Sequence, residues 1–204
     1  QTSLASKTGE RYLIITANVY ESALASFVSL KQSQGFSVSL VNLSTTGTDT
    51  TSIKNYIRGQ YQGTTPPVYV LLVGDYNDGE DSLTNWPFRS SGQSSYRTDL
   101  EYFTMDGNTD FVPDMLYGRF PVRDVVQVGN ITAKLVAYEA ANGSEVWVKK
   151  AEFLASNDSS FYDVAEATHN YVINTYTLPK GSSGIFPNNP PPAGDKIYAI
   201  TNGG

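Results

Sequence analysis

Apolar residues along the chain come alternately in short unbroken runs and at helical spacing. Arg11 to Ala17 is a β-rich apolar run, and Ala23, Phe27, Val28 and Leu30 then recur within Val19 to Gln34 before Gly35 ends the pattern. This predicts a strand followed by a helix. Phe36 to Leu43, with Phe36, Val38 and Leu40 alternating, reads as a second strand, and Asp49 is placed to cap a helix carrying Ile53, Tyr56, Ile57 and Tyr61. Pro66 and Pro67 stop that helix. Val68 to Val73 is uniformly apolar, as a strand covered on both faces must be, and it ends at Gly74-Asp75. The alternation predicts an α/β fold: a doubly wound, mostly parallel sheet with helices on both faces.

Turn residues dominate from Tyr76 to Arg97, where Trp86 and Phe88 are the large apolar anchors of a long loop. Thr98 to Arg119, TDLEYFTMDGNTDFVPDMLYGR, sets carboxylates and glycines among aromatic residues, and reads as strand, turn, strand with the hairpin turn at Asp106-Gly107-Asn108. Asp124 caps a helix running to about Ala141, with Val125, Val128, Ile131, Leu135 and Tyr138 on one stripe. After the break at Asn142-Gly143-Ser144, Lys149 to Ser156 predicts a strand and Phe161 to Tyr176 a helix. A Gly/Pro-rich loop, Lys180 to Gly194, leads to Asp195 to Gly204, which reads as one short helix with a glycine stop. The expected division is a first subdomain over residues 1–145 and the unfinished start of a second over 146–204.

Composition narrows the function. At 204 residues and 40% hydrophobic content the chain can bury a core. Twenty acidic and fourteen basic residues give a net charge of -6, with no Lys/Arg stripe, which argues against nucleic acid as a partner. No apolar run approaches the roughly 18 residues of a membrane helix. The opening QTSLASKTGE has neither a starting Met nor a signal pattern and reads as the edge of a processed or excised piece. Many Tyr, Ser, Thr and Asn fit an exported bacterial protein. The sequence has no cysteine, so it offers no thiolate nucleophile, thiolate metal ligand or disulfide.

Several acidic residues are candidates for chemistry. Asp75 lies at the carboxyl end of a central strand, where open α/β sheets place ligands, although a loop-ordering role explains it as well. Asp99, Glu101, Asp106, Asp110 and Asp114 could supply hard oxygens to calcium, or could simply satisfy local backbone donors; their spacing matches no EF-hand loop. Asp158 follows a predicted strand, a position suited to orienting a catalytic imidazole and equally to capping the next helix. His169, the sole histidine, lies mid-helix and reads as packing or surface material.

Five fragments, YLIIT (12–16), PPVYVLLVGD (66–75), TDLEYFTMDG (98–107), PDMLYGRFPV (113–122) and KLVAYE (134–139), together resemble the gingipain family of cysteine peptidases in order and spacing. ASND (155–158), the helix near Asp163 and the terminal NGG extend the likeness. The resemblance implies a caspase-like fold of two side-by-side subdomains, with this chain covering the first and the start of the second. It also implies peptide-bond hydrolysis by a Cys/His dyad beyond residue 204, so that the chain is inactive alone and works with the remainder of the catalytic domain on a polypeptide substrate. By the same resemblance Asp158 assists the catalytic His and Asp163 lines the pocket for a basic side chain. Calcium, which the resemblance also implies, strengthens the metal reading of Asp99, Glu101, Asp106 and Asp110 without identifying a ligand; no cofactor is required for the chemistry. A secreted or cell-surface location is implied too. The alternative is a non-catalytic calcium- or partner-binding α/β scaffold.

Overall fold

The computed structural model describes residues 9–75, 86–87, 97–107, 109–141, 143–184 and 191–201, and contacts divide the chain into two compact units, Gln1–Glu139 and Ala140–Gly204. In the first unit the order is β1 (Arg11–Thr16), α1 (Ala25–Ser33), β2 (Ser37–Asn42), α2 (Leu43–Thr46), α3 (Thr50–Tyr61), β3 (Tyr69–Val73), β4 (Trp86–Pro87), β5 (Arg97–Thr98), β6 (Leu116–Phe120) and α4 (Val125–Glu139). The main sheet is wholly parallel in the order β2-β1-β3-β6, with Tyr12, Tyr69 and Leu116 in register.

Both faces of that sheet are covered, which is why its central runs are apolar without alternation. Leu13, Ile14 and Ile15 of β1 and Leu72 and Val73 of β3 are fully buried. Each such aliphatic side chain contributes roughly 2 kcal/mol. On one face Tyr12 stacks on Tyr69 at 5.7 Å, and Phe27 of α1 meets Phe120 edge-on at 5.4 Å beneath α4. On the other, Ile53 and Ile57 of α3 are buried and Phe103 stacks on Tyr117 at 4.3 Å. Helix starts follow the sequence: Asp49 Oδ1 accepts the Ser52 N–H at 2.9 Å, and Asp124 Oδ1 accepts that of Gln127 at 2.7 Å.

Two expectations for this unit change. The helix predicted over Val19 to Gln34 begins as a 3₁₀ turn, Asn18–Leu24, anchored by buried Tyr20 and Leu24, and only Ala25–Ser33 is α-helical. Thr98 to Arg119 is not strand, turn, strand. β5 pairs antiparallel with β4, β6 pairs parallel with β3, and the 3₁₀ turn Leu100–Tyr102 lies between them. Fully buried Tyr102 and Phe103 draw this segment into the core, where a hairpin would have left its aromatics on an open ribbon. Asn108 of the expected turn, and Phe88 with most of the Tyr76 to Arg97 loop, lie outside the described residues.

The second unit contains β7 (Glu152–Ala155), α5 (Tyr162–Val172) and β8 (Asp195–Tyr198), with α5 running on into a π turn, Ile173–Thr177. The short helix expected from Asp195 is in fact a strand. β8 pairs parallel with β7, Phe153 opposite Lys196 and Ala155 opposite Tyr198. A helix of about ten residues is marginal on its own, whereas pairing with β7 satisfies the backbone and buries Tyr198. Gly194 permits the approach: its φ is +139°, and a Cβ there would lie 2.8 Å from the Phe153 ring. The strand, helix and strand form a βαβ unit, so the second α/β motif is carried further than the sequence led us to expect. The terminal Asn202-Gly203-Gly204 lies outside the described residues.

Candidate functional site

In the second unit, chain segments leave β7 and β8 at the carboxyl end of a parallel pair, the end where α/β sheets place ligands. Asp158 lies just past β7, on the surface. Its Oδ1 accepts the Ser160 N–H at 2.9 Å, and its carbonyl accepts the N–H groups of Phe161 at 3.2 Å and Tyr162 at 2.9 Å. The residue therefore orders the turn into α5, as an Asx turn does. Asp163 lies in the first turn of α5, exposed, with Oδ1 accepting the Val164 N–H at 2.8 Å. A carboxylate there is favoured by the positive end of the helix dipole.

Further along α5, the His169 ring lies between Phe153 and Tyr198, with centroids 5.6 and 5.9 Å away. Its Nδ1 is buried without a hydrogen-bond partner among the described residues. One turn earlier is Glu166, which the sequence reading passed over. It is buried, and its carboxylate accepts from the Thr201 N–H at 3.4 Å and from the Thr201 hydroxyl. Burial, and next the charge of Glu166, raise the Tyr198 phenol above its ordinary range. The available signal was a carboxylate on the stripe Glu166, His169, Ile173, where an inward helix face calls for apolar residues.

In the first unit the acidic residues are engaged one by one. Asp75 Oδ2 accepts from Arg123 Nε at 2.6 Å, and the Asp75 N–H donates to the Val122 carbonyl at 2.9 Å. It thus ties the end of β3 to the chain after β6. Asp99 holds Arg119 by a two-pronged pair, 2.8 and 2.7 Å, while Arg119 Nη1 donates to the Gly74 carbonyl at 2.6 Å. Such a fork is geometrically specific and charge-assisted. Glu101 is buried, and its carbonyl, with that of Thr104 at 2.6 Å, accepts from the buried Lys54 ammonium.

Asp110 accepts the N–H groups of Asp106 at 3.2 Å and Val112 at 3.0 Å. Asp114 takes those of Met105 at 2.7 Å and the Tyr61 hydroxyl at 3.2 Å, and this last bond raises the Tyr61 phenol. Among the described residues no three His, Cys, Asp or Glu side chains gather as a metal ion requires. A cleft of about 300 Å³ in this unit is lined by Tyr12, Lys31, Tyr69, Leu116, Leu135 and Glu139, with the Lys31–Glu139 pair, 2.8 Å, among its lining groups. None of the candidate acids lines it. No described helix is long and apolar enough to cross a membrane.

Solved structures share this architecture. One, described as a protease, superposes with a TM-score of 0.76 at 23% identity, covering 94% of this chain and 40% of that one. The crystal structure of the Arg-specific cysteine proteinase gingipain R gives a TM-score of 0.58 at 16% identity, covering 87% of this chain and 46% of that one. At these identities the likeness is one of fold, and the chain spans less than half the length of either protein. No curated protein matches the chain. The α/β architecture is thus the one the gingipain resemblance implied, and the model of peptidase family C25 matches residues 5–198. With the match spanning both compact units, the chain belongs to peptidase family C25.

Proposed function

We propose that this chain is the N-terminal portion of a gingipain-like cysteine endopeptidase, supplying scaffold and part of the substrate site but not the reacting groups. The observation that carries this reading is membership of a peptidase family by a chain without a single cysteine. In the longer protein a Cys thiolate would attack the peptide carbonyl, His would move the proton, and backbone N–H groups would hold the oxyanion. This chain's own contribution lies at the carboxyl end of β7. Asp158 would steady the imidazole through its carboxylate, and its surface position at that end supports the role. Asp163, exposed at the start of α5, would draw a basic substrate side chain by a charge-assisted contact. A location outside the cell fits the Tyr-, Ser-, Thr- and Asn-rich composition.

The test is direct. The pure 204-residue chain is assayed on a panel of fluorogenic peptides beside the longer protein. Hydrolysis is expected from the longer protein alone. Turnover by the isolated chain would overturn the reading, as would a longer protein that is folded but inert.

A further inference from the structure

Glu166 combines three properties that a plain packing residue does not need. It is only 7% exposed, on the inward stripe of α5 that continues through His169 and Ile173. Its hydrogen-bond donors are the N–H and hydroxyl of Thr201, both neutral, and among the described residues no lysine or arginine forms a salt bridge with it. Thr201 itself lies three residues past β8, at the carboxyl end of the parallel β7–β8 pair.

A glutamine would make a similar tie without taking a charge out of water, so the carboxylate is a costly choice. What the charge adds is strength. Bonds from neutral donors to an ionised acceptor are about twice as strong as neutral pairs. The backbone leaving β8 is therefore pinned to α5 more firmly than a neutral contact would pin it. Asp158 leaves β7 at the same end, so the clamp acts where the fold concentrates its candidate chemistry.

We propose that Glu166 is a positioning residue that clamps Thr201 and thereby fixes the chain leaving β8 at the reactive end of the sheet. This rests on the peptidase reading for its catalytic consequence, while the clamp itself does not.

Two measurements separate them. In the 204-residue chain, amide exchange at Thr201 is expected to accelerate about tenfold or more in Glu166→Ala, with β1 and β3 amides unchanged. Unchanged exchange at Thr201 overturns the clamp. In the longer protein, Glu166→Ala is expected to lower kcat roughly 10–100-fold with KM held within about twofold, and Glu166→Gln to recover part of the loss. A faster-exchanging Thr201 with undiminished kcat overturns the positioning role. If Glu166→Ala fails to fold, Glu166→Gln and Thr201→Val preserve volume and carry both measurements. A longer wild-type protein without activity sinks the peptidase reading, and exchange still decides the clamp.

Discussion

The two units solve the problem of burial differently. In the first, four parallel strands lie between helices, and several buried or partly buried charges are paired within the unit: Asp99 by Arg119, Asp75 by Arg123, and Lys54 by two carbonyls. In the second, two strands and one helix bury few side chains among the described residues, chiefly Ala155, Ile173, Ala193 and Tyr198 with Glu166 and Asp195. Leu154 in β7 and Phe161 and Val164 near the start of α5 stay largely exposed. A two-stranded sheet offers too little area to exclude water from both faces. Within this chain burial is thus concentrated in the first unit, while the second holds the residues proposed for chemistry.

This contrast predicts unequal responses to the same kind of change. Leu72→Ala, in a fully buried strand of the first unit, should cost about 3–4 kcal/mol, whereas Leu154→Ala should change stability by less than about 0.5 kcal/mol. Urea unfolding of both variants makes the comparison, and equal losses would break it. Next in size is Asp99→Ala. It strands Arg119, whose side chain is 10% exposed, and should cost about 3 kcal/mol by the same measurement. A loss near zero would mean that this ion pair is not what holds the segment before β6 in place.

The smallest expected effect is seen in alkali. Burial, then the neighbouring charge of Glu139 and the Tyr69 phenol, push the Tyr12 phenol up to about 12. A phenol that loses its proton less readily when folded adds stability that is complete below its ordinary value near 10, and that falls as pH climbs toward about 12. Between those values the first unit should lose about 1–2 kcal/mol, and Tyr12→Phe should flatten that limb. Unfolding curves collected at pH 9 and pH 11.5 test it; an alkaline loss that persists in the variant would place its source elsewhere.

The sequence made some of these features readable and hid others for definite reasons. β1 and β3 were legible because unbroken apolar runs mark strands covered on both sides. The starts of α3 and α4 were legible from Asp49 and Asp124, since a cap and its helix are neighbours in the chain. β8 was misread because four residues ending in Ile197-Tyr198 carry no period, and their conformation is set by β7, more than forty residues earlier. Thr98 to Arg119 was misread because its turn residues signalled a hairpin, while burial of Tyr102 and Phe103 outweighed that local preference. Asp158 could be singled out from its place after a strand, and the turn it orders before α5 is likewise local. Glu166 could not be assigned a role, because its partner Thr201 is 35 residues away.

By itself, then, the chain determined its class and its chemical limits. The alternation of runs and helical stripes specifies an α/β fold, five ordered fragments point to a peptidase family, and the lack of cysteine excludes a thiolate nucleophile within this polypeptide. Only the tertiary structure decided which strands pair, that Asp99 grips Arg119, that the Lys54 ammonium lies against carbonyls 47 and 50 residues on, and that Glu166 holds Thr201. Periodicity and capping are local and can be read along the chain. Pairings of buried charge arise only once folding has removed water from groups that are distant in sequence, so they are decided in space.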